Sequence, residues 1–176
     1  MTAMSHATSD IARVVVPGTF DPVTLGHIDV IRRARRICPK VTVAVVASAG
    51  KNGVGTVFTL EERVQMIQQA LQEEGFSDIE VIGFRKLLVD LCHELGAGAV
   101  VKGLRATTDF EYELQQADLN ARLAPDIESI FIMSAPNLGC ISSSIVRELA
   151  SFGSDVSTLV PPNVQERLAE RYGTKK

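Results

Sequence analysis

Five short, mostly β-branched runs alternate with amphipathic helical patterns along this chain, and this alternation is the feature that most limits its fold. The runs are Arg13–Val16, Val41–Ala47, Ile79–Phe84, Ala99–Lys102 and Ser129–Met133. Most of them are continuously apolar, as expected of strands that are covered on both faces. Strands that alternate with helices in this way form parallel sheets with helices on both sides. The sequence therefore predicts an α/β fold, a single doubly wound domain with a five-stranded parallel sheet.

Helical patterns fill the intervals between the runs. Ile28, Ile31 and Cys38 form an apolar stripe before the second run, and similar stripes follow the second and third runs. Capping boxes are predicted at Thr59–Glu62 and Thr108–Glu111. Two further amphipathic patterns after the fifth run predict C-terminal helices.

Composition limits the class of protein. A chain of 176 residues with 45% hydrophobic and 22% charged residues is ordinary for one globular domain. We expect a flexible tail over residues 1–12 and one domain over residues 13–176. The net charge of −3 lacks the basic excess of nucleic-acid-binding proteins. No run is long enough to span a membrane, and residues 1–12 lack a signal-peptide pattern. No nucleic-acid or membrane partner is therefore expected.

The cysteines indicate the redox environment. Cys38, Cys92 and Cys140 are odd in number, widely spaced and without a C-x-x-C pairing. Such a set predicts neither a disulfide framework nor a zinc site. The pattern fits a reducing cytoplasm.

Candidate ligand-binding residues follow the strands. Ligands of doubly wound folds bind beyond the carboxyl ends of the strands, where helices begin. Gly18, Thr19 and Phe20 leave the first strand, and His27 stands at the start of the first helix, where it could meet an anion or be an ordinary surface residue. Lys51 follows the second strand in a glycine-rich loop, as a ligand-binding lysine or a solvated one.

A second cluster follows the fourth strand. Lys102, Gly103 and Arg105 precede a helix whose first turns are acidic and include Glu113. The cations suit a phosphate, and the acids suit a ribose or a metal. Alternatively, the acids only favour the helix dipole and one of them pairs with Arg105. After the fifth strand, Ser142–Ser144 is either a simple N-cap or a phosphate site.

Familiar nucleotide and hydrolase motifs are absent from the sequence. There is no G-x-G-x-x-G after the first strand, and the residues before Lys51 do not form a Walker A loop. No G-x-S-x-G surrounds the serine run.

Five motifs in order carry a family resemblance. The stretches PGTFDPVTLGH, TLEER, KGLR, DFEYE and ISSS resemble those of the bacterial phosphopantetheine adenylyltransferases. These enzymes belong to the nucleotidyltransferase superfamily with the T/H-x-G-H motif, and the resemblance covers about residues 13–165. It implies a Rossmann-like nucleotidyltransferase fold and transfer of the adenylyl group of ATP to 4′-phosphopantetheine, which gives dephospho-coenzyme A and pyrophosphate. It also implies Mg²⁺, a cytoplasmic homohexamer and coenzyme A as a feedback ligand.

The resemblance also implies residue roles. The catalytic residues would be Thr19, His27 and Lys51, with no metal held by the protein itself. The acceptor would be bound by Thr19, Lys51, Leu88 and Lys102, where Lys102 replaces a frequent arginine. ATP would be bound by Thr19, Phe20, His27, Gly103, Leu104, Arg105, Glu113, Leu138, Gly139, Cys140, Ile141, Ser142, Ser143 and Ser144.

Two alternatives remain open at this point. One is a nicotinamide or nicotinate mononucleotide adenylyltransferase, which differs in its acceptor. The other is a non-catalytic nucleotide-binding domain. The joint presence of Thr19, His27 and Lys51 favours an enzyme, because a binding domain needs no contacts to a transition state.

Overall fold

A computed structural model of the chain describes residues 11–47, 55–105 and 107–173. The strands are β1 (Arg13–Gly18), β2 (Lys40–Val46), β3 (Glu80–Phe84), β4 (Ala99–Leu104) and β5 (Glu128–Met133). The helices are α1 (Leu25–Ile37), α2 (Leu60–Glu73), α3 (Leu88–Leu95), α4 (Thr107–Leu123), α5 (Ser143–Ser151) and α6 (Pro162–Tyr172). All five predicted strands are present, and their ends differ from the predicted ones by at most two residues. The predicted tail lies outside the described residues up to residue 10, so its boundary stays a prediction.

The sheet is parallel and its strand order creates a crevice. The order is β3-β2-β1-β4-β5. β2 and β3 are added on one side of β1, and β4 and β5 are added on its other side, so the order reverses between β1 and β4. β1 pairs with β2 along its whole length, from Arg13 to Gly18. With β4 it pairs only at Val14 and Val15. Beyond Val15 the two central strands are no longer paired, which opens a crevice at the topological switch point, where such folds bind ligands.

Two apolar clusters cover the two faces of the sheet. Val14 and Val16 of β1 pack with residues of α1, α2, α5 and α6. Val15 of the same strand points the other way and packs with residues of α3 and with Ala124 and Ile127, which follow α4. Alternate residues of one strand thus serve opposite helical layers, as the period of two requires. The doubly wound architecture is confirmed.

Local capping explains several helix ends. Thr59 and Glu62 form the predicted capping box of α2, with Thr59 N donating to Glu62 Oε2 at 2.8 Å. Gly96 ends α3 in the left-handed conformation, at φ 62°. The box predicted at Thr108 differs from the structure, since α4 already begins at Thr107 and includes Thr108. The side chain of Thr108 is outside the described part of the chain.

None of the helices in the described ranges is long and apolar enough to cross a membrane. All three cysteines are free thiols, with Cys38 and Cys92 buried and Cys140 exposed.

Candidate active site

A cavity of about 680 Å³ occupies the crevice at the carboxyl ends of β1 and β4. It brings together most of the predicted site residues, from five separate stretches of sequence. The predicted residues that line it are Thr19, Phe20, His27, Leu88, Lys102, Gly103, Arg105, Glu113, Ile141, Ser142, Ser143 and Ser144. Leu104, Leu138, Gly139 and Cys140 do not line it, and Lys51 lies outside the described residues.

His27 owes its position to the start of α1. Thr24 is the N-cap, and its hydroxyl accepts from His27 N at 3.4 Å. In return, Thr24 N donates to His27 Nδ1 at 3.0 Å. This is a capping box in which a histidine takes the place usually held by glutamate or glutamine. The T-x-G-H spacing therefore has a structural meaning as well as a chemical one.

Burial sets the protonation state of His27, and its hydrogen bond from Thr24 N sets the tautomer. Burial, and secondarily the positive charge of Arg105, lower the pKa of His27 from 6.5 to about 4. The ring is neutral at physiological pH, and because Nδ1 accepts a hydrogen bond, Nε2 carries the proton. His27 can thus offer one N–H donor without carrying a charge.

The turn after β1 is shaped by Phe20. Its φ is 50°, a left-handed conformation that is uncommon outside glycine. The Phe20 ring is buried and meets the His27 ring edge-on, with centroids 5.0 Å apart. A Cβ on Gly18 would lie 2.8 Å from this ring, so Gly18 is required by the packing of Phe20. Thr19 lies between them, exposed at the cavity.

Lys102 and Glu113 face each other across the cavity wall. Lys102 Nζ lies 3.0 Å from Glu113 Oε2, and both side chains are mostly buried. Within the described residues, this oxygen accepts no well-aligned hydrogen bond. The contact is therefore an ion pair in which this carboxylate oxygen is itself buried. Among the acids of this helix that the structure describes, Glu113 thus pairs with Lys102, and the predicted pairing of Arg105 with an acid stays a prediction.

Arg105 connects β4 with the segment before α5. Its Nη1 donates to the Ile141 carbonyl at 3.1 Å. A Cβ on Gly139 would lie 3.8 Å from the Arg105 carbonyl, and one on Gly26 would lie 3.7 Å from the Leu138 carbonyl. The segment from Leu138 to Ile141 therefore lies beside the start of α1 and the end of β4, even where it does not line the cavity.

The serine run has structural roles at the start of α5. Ser142 is the N-cap, and its Oγ accepts from Ile145 N at 3.1 Å. This agrees with the interpretation of the serine run as an N-cap. Ser143 Oγ donates to the Pro22 carbonyl at 2.8 Å, which ties α5 to the loop before α1. Ser144 is the remaining hydroxyl of the run at the cavity.

Sequence reasoning missed two buried charged residues behind the cavity. Asp21 accepts from Val57 N and Phe58 N, both at 2.9 Å, and its main-chain carbonyl accepts from Arg147. Arg63 is also buried and bonds three carbonyl groups. Both lie in quoted motifs, PGTFDP and TLEER; Asp21 stands among uncharged residues, whereas Arg63 follows two glutamates and gives no local indication of its burial.

The described residues contain no group of three or more His, Cys, Asp or Glu side chains that could hold a metal ion. Among the residues that the structure describes, the charged side chains that line this cavity are Lys102, Arg105 and Glu113.

Comparison with known proteins places this geometry in a family. The model of the cytidylyltransferase-like family matches residues 15–149. A phosphopantetheine adenylyltransferase of Hahella chejuensis is 46% identical over 163 residues, which are 93% of this chain and 98% of that protein. Another, from Heliobacterium modesticaldum, is 46% identical over 90% of this chain and 92% of its own.

A solved structure agrees on the fold. The bifunctional NMN adenylyltransferase/ADP ribose pyrophosphatase of Francisella tularensis superposes with a TM-score of 0.68 over 92% of this chain, at 16% identity. This chain spans only about half of that protein, 51% of its length. The likeness at such low identity concerns the fold alone. The long alignments with the two closer relatives decide the matter: this chain belongs to the phosphopantetheine adenylyltransferase family, within the cytidylyltransferase-like proteins.

Proposed function

We propose that this protein transfers the adenylyl group of ATP to 4′-phosphopantetheine, which gives dephospho-coenzyme A and pyrophosphate. The observation that carries the proposal is the 46% identity to two phosphopantetheine adenylyltransferases over at least 90% of this chain. The cavity at the switch point supports it, because its lining unites cations, hydroxyls and a neutral histidine beside two helix starts. These groups suit a ligand with several phosphates.

The reaction needs positioning more than proton transfer. The acceptor's phosphate oxygen is already anionic at neutral pH, so no general base and no covalent intermediate are required. The α-phosphate of ATP gains charge on its equatorial oxygens in the transition state. Thr19 and the Nε2–H group of His27 would donate to these oxygens, and Lys51 would approach the same centre from the loop after β2.

The two substrates would occupy opposite sides of the cavity. Lys51 and Lys102 would hold the acceptor's phosphate, and Leu88 would contact the pantetheine arm. Gly103–Arg105, the segment Leu138–Ser144 and the turn at Thr19 and Phe20 would hold ATP. The carboxylate of Glu113, which lines the cavity, would accept from a ribose hydroxyl.

Mg²⁺ would enter with the nucleotide. It commonly binds through substrate phosphates with only one or two protein carboxylates. When bound, it would neutralise charge on the leaving pyrophosphate. Glu113 is the described carboxylate at the cavity, and Lys102 already neutralises it. The residues therefore fit a metal that the substrate carries better than one that the protein holds.

Location, assembly and regulation are parts of the same proposal. The free thiols suit a reducing cytoplasm. We propose a homohexamer, which the family resemblance implies and which the exposed apolar residues of α4 support. Coenzyme A, which contains the product's pantetheine arm and adenylate, is the expected feedback ligand at the same cavity.

One assay tests the proposal and its main alternative. Pyrophosphate release from ATP should be measured with 4′-phosphopantetheine, with nicotinate or nicotinamide mononucleotide, and without an acceptor. We expect release with the first acceptor only. Release with a mononucleotide would support the alternative adenylyltransferase, and no release with any acceptor would favour a non-catalytic nucleotide-binding domain.

A further inference from the structure

Arg63 of α2 is buried, with 1% of its surface exposed, and each of its hydrogen bonds ends on a backbone carbonyl. Its Nη1 donates to the Thr19 carbonyl at 2.6 Å and to the Val46 carbonyl at 3.0 Å. Its Nε donates to the Thr59 carbonyl at 3.2 Å. A guanidinium presents its donors in a rigid planar fork, so these bonds fix the three carbonyl groups relative to one another.

The three carbonyl groups belong to the bases of two loops. Thr19 is the first residue after β1, in the turn that leads to α1. Val46 is the last residue of β2, and Thr59 is the N-cap of α2. Val46 and Thr59 therefore bracket the stretch of sequence that contains Lys51. One side chain bonds both ends of this stretch and the start of the other loop.

A second set of bonds joins the same two loops. The Asp21 carboxylate, two residues after Thr19, accepts from Val57 N and Phe58 N just before α2. Burial lowers the pKa of Arg63, whereas the carboxylates of Asp21 and Glu61 raise it. The guanidinium keeps its charge at any physiological pH. The buried charge of Arg63 is thus stabilised by the Asp21 carboxylate, which also accepts hydrogen bonds from the residues just before α2.

We propose that Arg63 is a positioning residue for adenylyl transfer, which sets the turn of Thr19 and the base of the Lys51 loop at a fixed relative position. It does not line the cavity, so it acts through the backbone of these loops and not on the substrates. This inference rests on the proposed function only for the roles of Thr19 and Lys51. The anchoring of the two loops follows from the hydrogen bonds themselves.

The test compares Arg63→Lys and Arg63→Met with Asn163→Ala. Lysine keeps the charge but has no planar fork, and methionine keeps the apolar stem without donors. Asn163 is a matched control, since it is buried and donates from Nδ2 to the carbonyl of Met66, on the same helix, at 3.0 Å. Met66 and Asn163 do not line the cavity.

We expect both Arg63 variants to lower kcat about 10- to 100-fold with less than about a threefold change in the KM for ATP, because small misplacements of reacting groups cost rate before they cost binding. Asn163→Ala should lower the melting temperature and leave kcat within about twofold of wild type. If Arg63→Met does not fold, Arg63→Lys alone is compared with Asn163→Ala and with the wild type. The proposal is overturned if Arg63→Lys folds and keeps the wild-type kcat.

Hydrogen exchange gives a readout that needs no activity. The amides of residues 19–21 and 57–59 should exchange faster in Arg63→Lys, and those two segments should keep wild-type exchange in Asn163→Ala. Unchanged exchange in both segments would refute the anchoring even if kcat fell. A wild-type protein without transferase activity would contradict the proposed function, and exchange alone would then decide whether Arg63 anchors the loops.

Discussion

His27 caps α1 through Nδ1 and at the same time presents an uncharged N–H donor at Nε2. It completes the capping box of α1 through Nδ1, and the same bond leaves the proton on Nε2. A charged imidazolium would donate from both nitrogens and could not accept from Thr24 N. The cap and the neutral ring therefore require each other. A neutral donor at this place can stabilise developing charge without a proton that must be lost first.

This dependence predicts how stability responds to pH. The unfolded chain binds a proton at His27 near pH 6.5, whereas the folded chain binds it only near pH 4. Between these values protonation favours the unfolded state, so the free energy of unfolding should decrease as the pH falls from about 6.5 to about 4. His27→Gln keeps a capping residue at this position and cannot titrate.

Thermal unfolding of both proteins from pH 7.5 to pH 4.5 measures the effect. We expect the melting temperature of the wild type to fall more steeply below pH 6.5 than that of His27→Gln. Parallel curves would mean that His27 is not held neutral by the fold.

In the transferase assay, His27→Ala should lower turnover about 10²- to 10³-fold with little change in ATP affinity.

Lys102 links the two proposed substrate sites. Its ammonium is 3.0 Å from Glu113 Oε2, so an acceptor phosphate bound at Lys102, as proposed, would share or replace this carboxylate as its partner. Lys102→Gln should weaken binding of 4′-phosphopantetheine by about 1.5–3 kcal/mol, which is about 10- to 150-fold in Kd. Lys102→Arg should be tolerated, because it keeps the charge.

Separate titrations of the two substrates against these variants test the assignment. Glu113→Gln removes the competing carboxylate and should leave acceptor binding unchanged or tighter. Pantetheine without its phosphate should bind weakly to all of these proteins. A loss in Lys102→Gln that is confined to ATP would mean that the two phosphate sites have been exchanged.

At the scale of elements, Gly103 shows how closely α1 approaches the sheet. β4 continues through Gly103 to Leu104, and Gly103 also lines the cavity, where its proposed approach to a ligand stays a prediction. A Cβ at this position would lie 2.7 Å from Val30 Cγ2 of α1. Valine is branched at Cβ and has little rotamer freedom in a helix, so it cannot easily move aside.

The contact predicts a compensating pair of substitutions. Gly103→Ala should lower the free energy of unfolding by about 1–3 kcal/mol through overpacking. Val30→Ala should also destabilise, because it removes buried methyl groups. Together they should cost less than the sum, which denaturant unfolding of the four proteins in a double-mutant cycle would measure. Strictly additive losses would contradict the packing argument.

The elements were largely predictable, whereas their long-range partners were not. Continuous apolar runs and the Thr59–Glu62 spacing depend on neighbours a few residues away, so the sequence contains the needed information. The hydrogen bond from Arg63 to Thr19 spans 44 residues, and the pairing of Lys102 with Glu113 depends on how α4 packs beside β4. The position of α4 follows from the fold and not from any local pattern. The strand order, which creates the crevice, is a property of this kind.

At the scale of the whole molecule, α4 carries an unusual outer surface. Leu119 and Leu123 lie about one helical turn apart and are exposed by 54% and 62%. Met133 is also exposed, at the end of the edge strand β5. Apolar stripes of this kind on a small domain are typical of interaction surfaces. In the proposed homohexamer, copies of the chain would cover them.

A charge on this stripe should therefore change the assembly. We expect the wild type to scatter light as a particle of six chains of 19.0 kDa each at micromolar concentration. Leu119→Glu should shift the mass to smaller species, because a buried unpaired carboxylate would oppose burial of the stripe. Phe152→Glu is the control, since Phe152 is 71% exposed but follows α5, on the opposite face of the sheet from the end of α4. A monomeric wild type would refute the hexamer. If Leu119→Glu remained hexameric, the subunit contacts would lie on a surface other than this stripe.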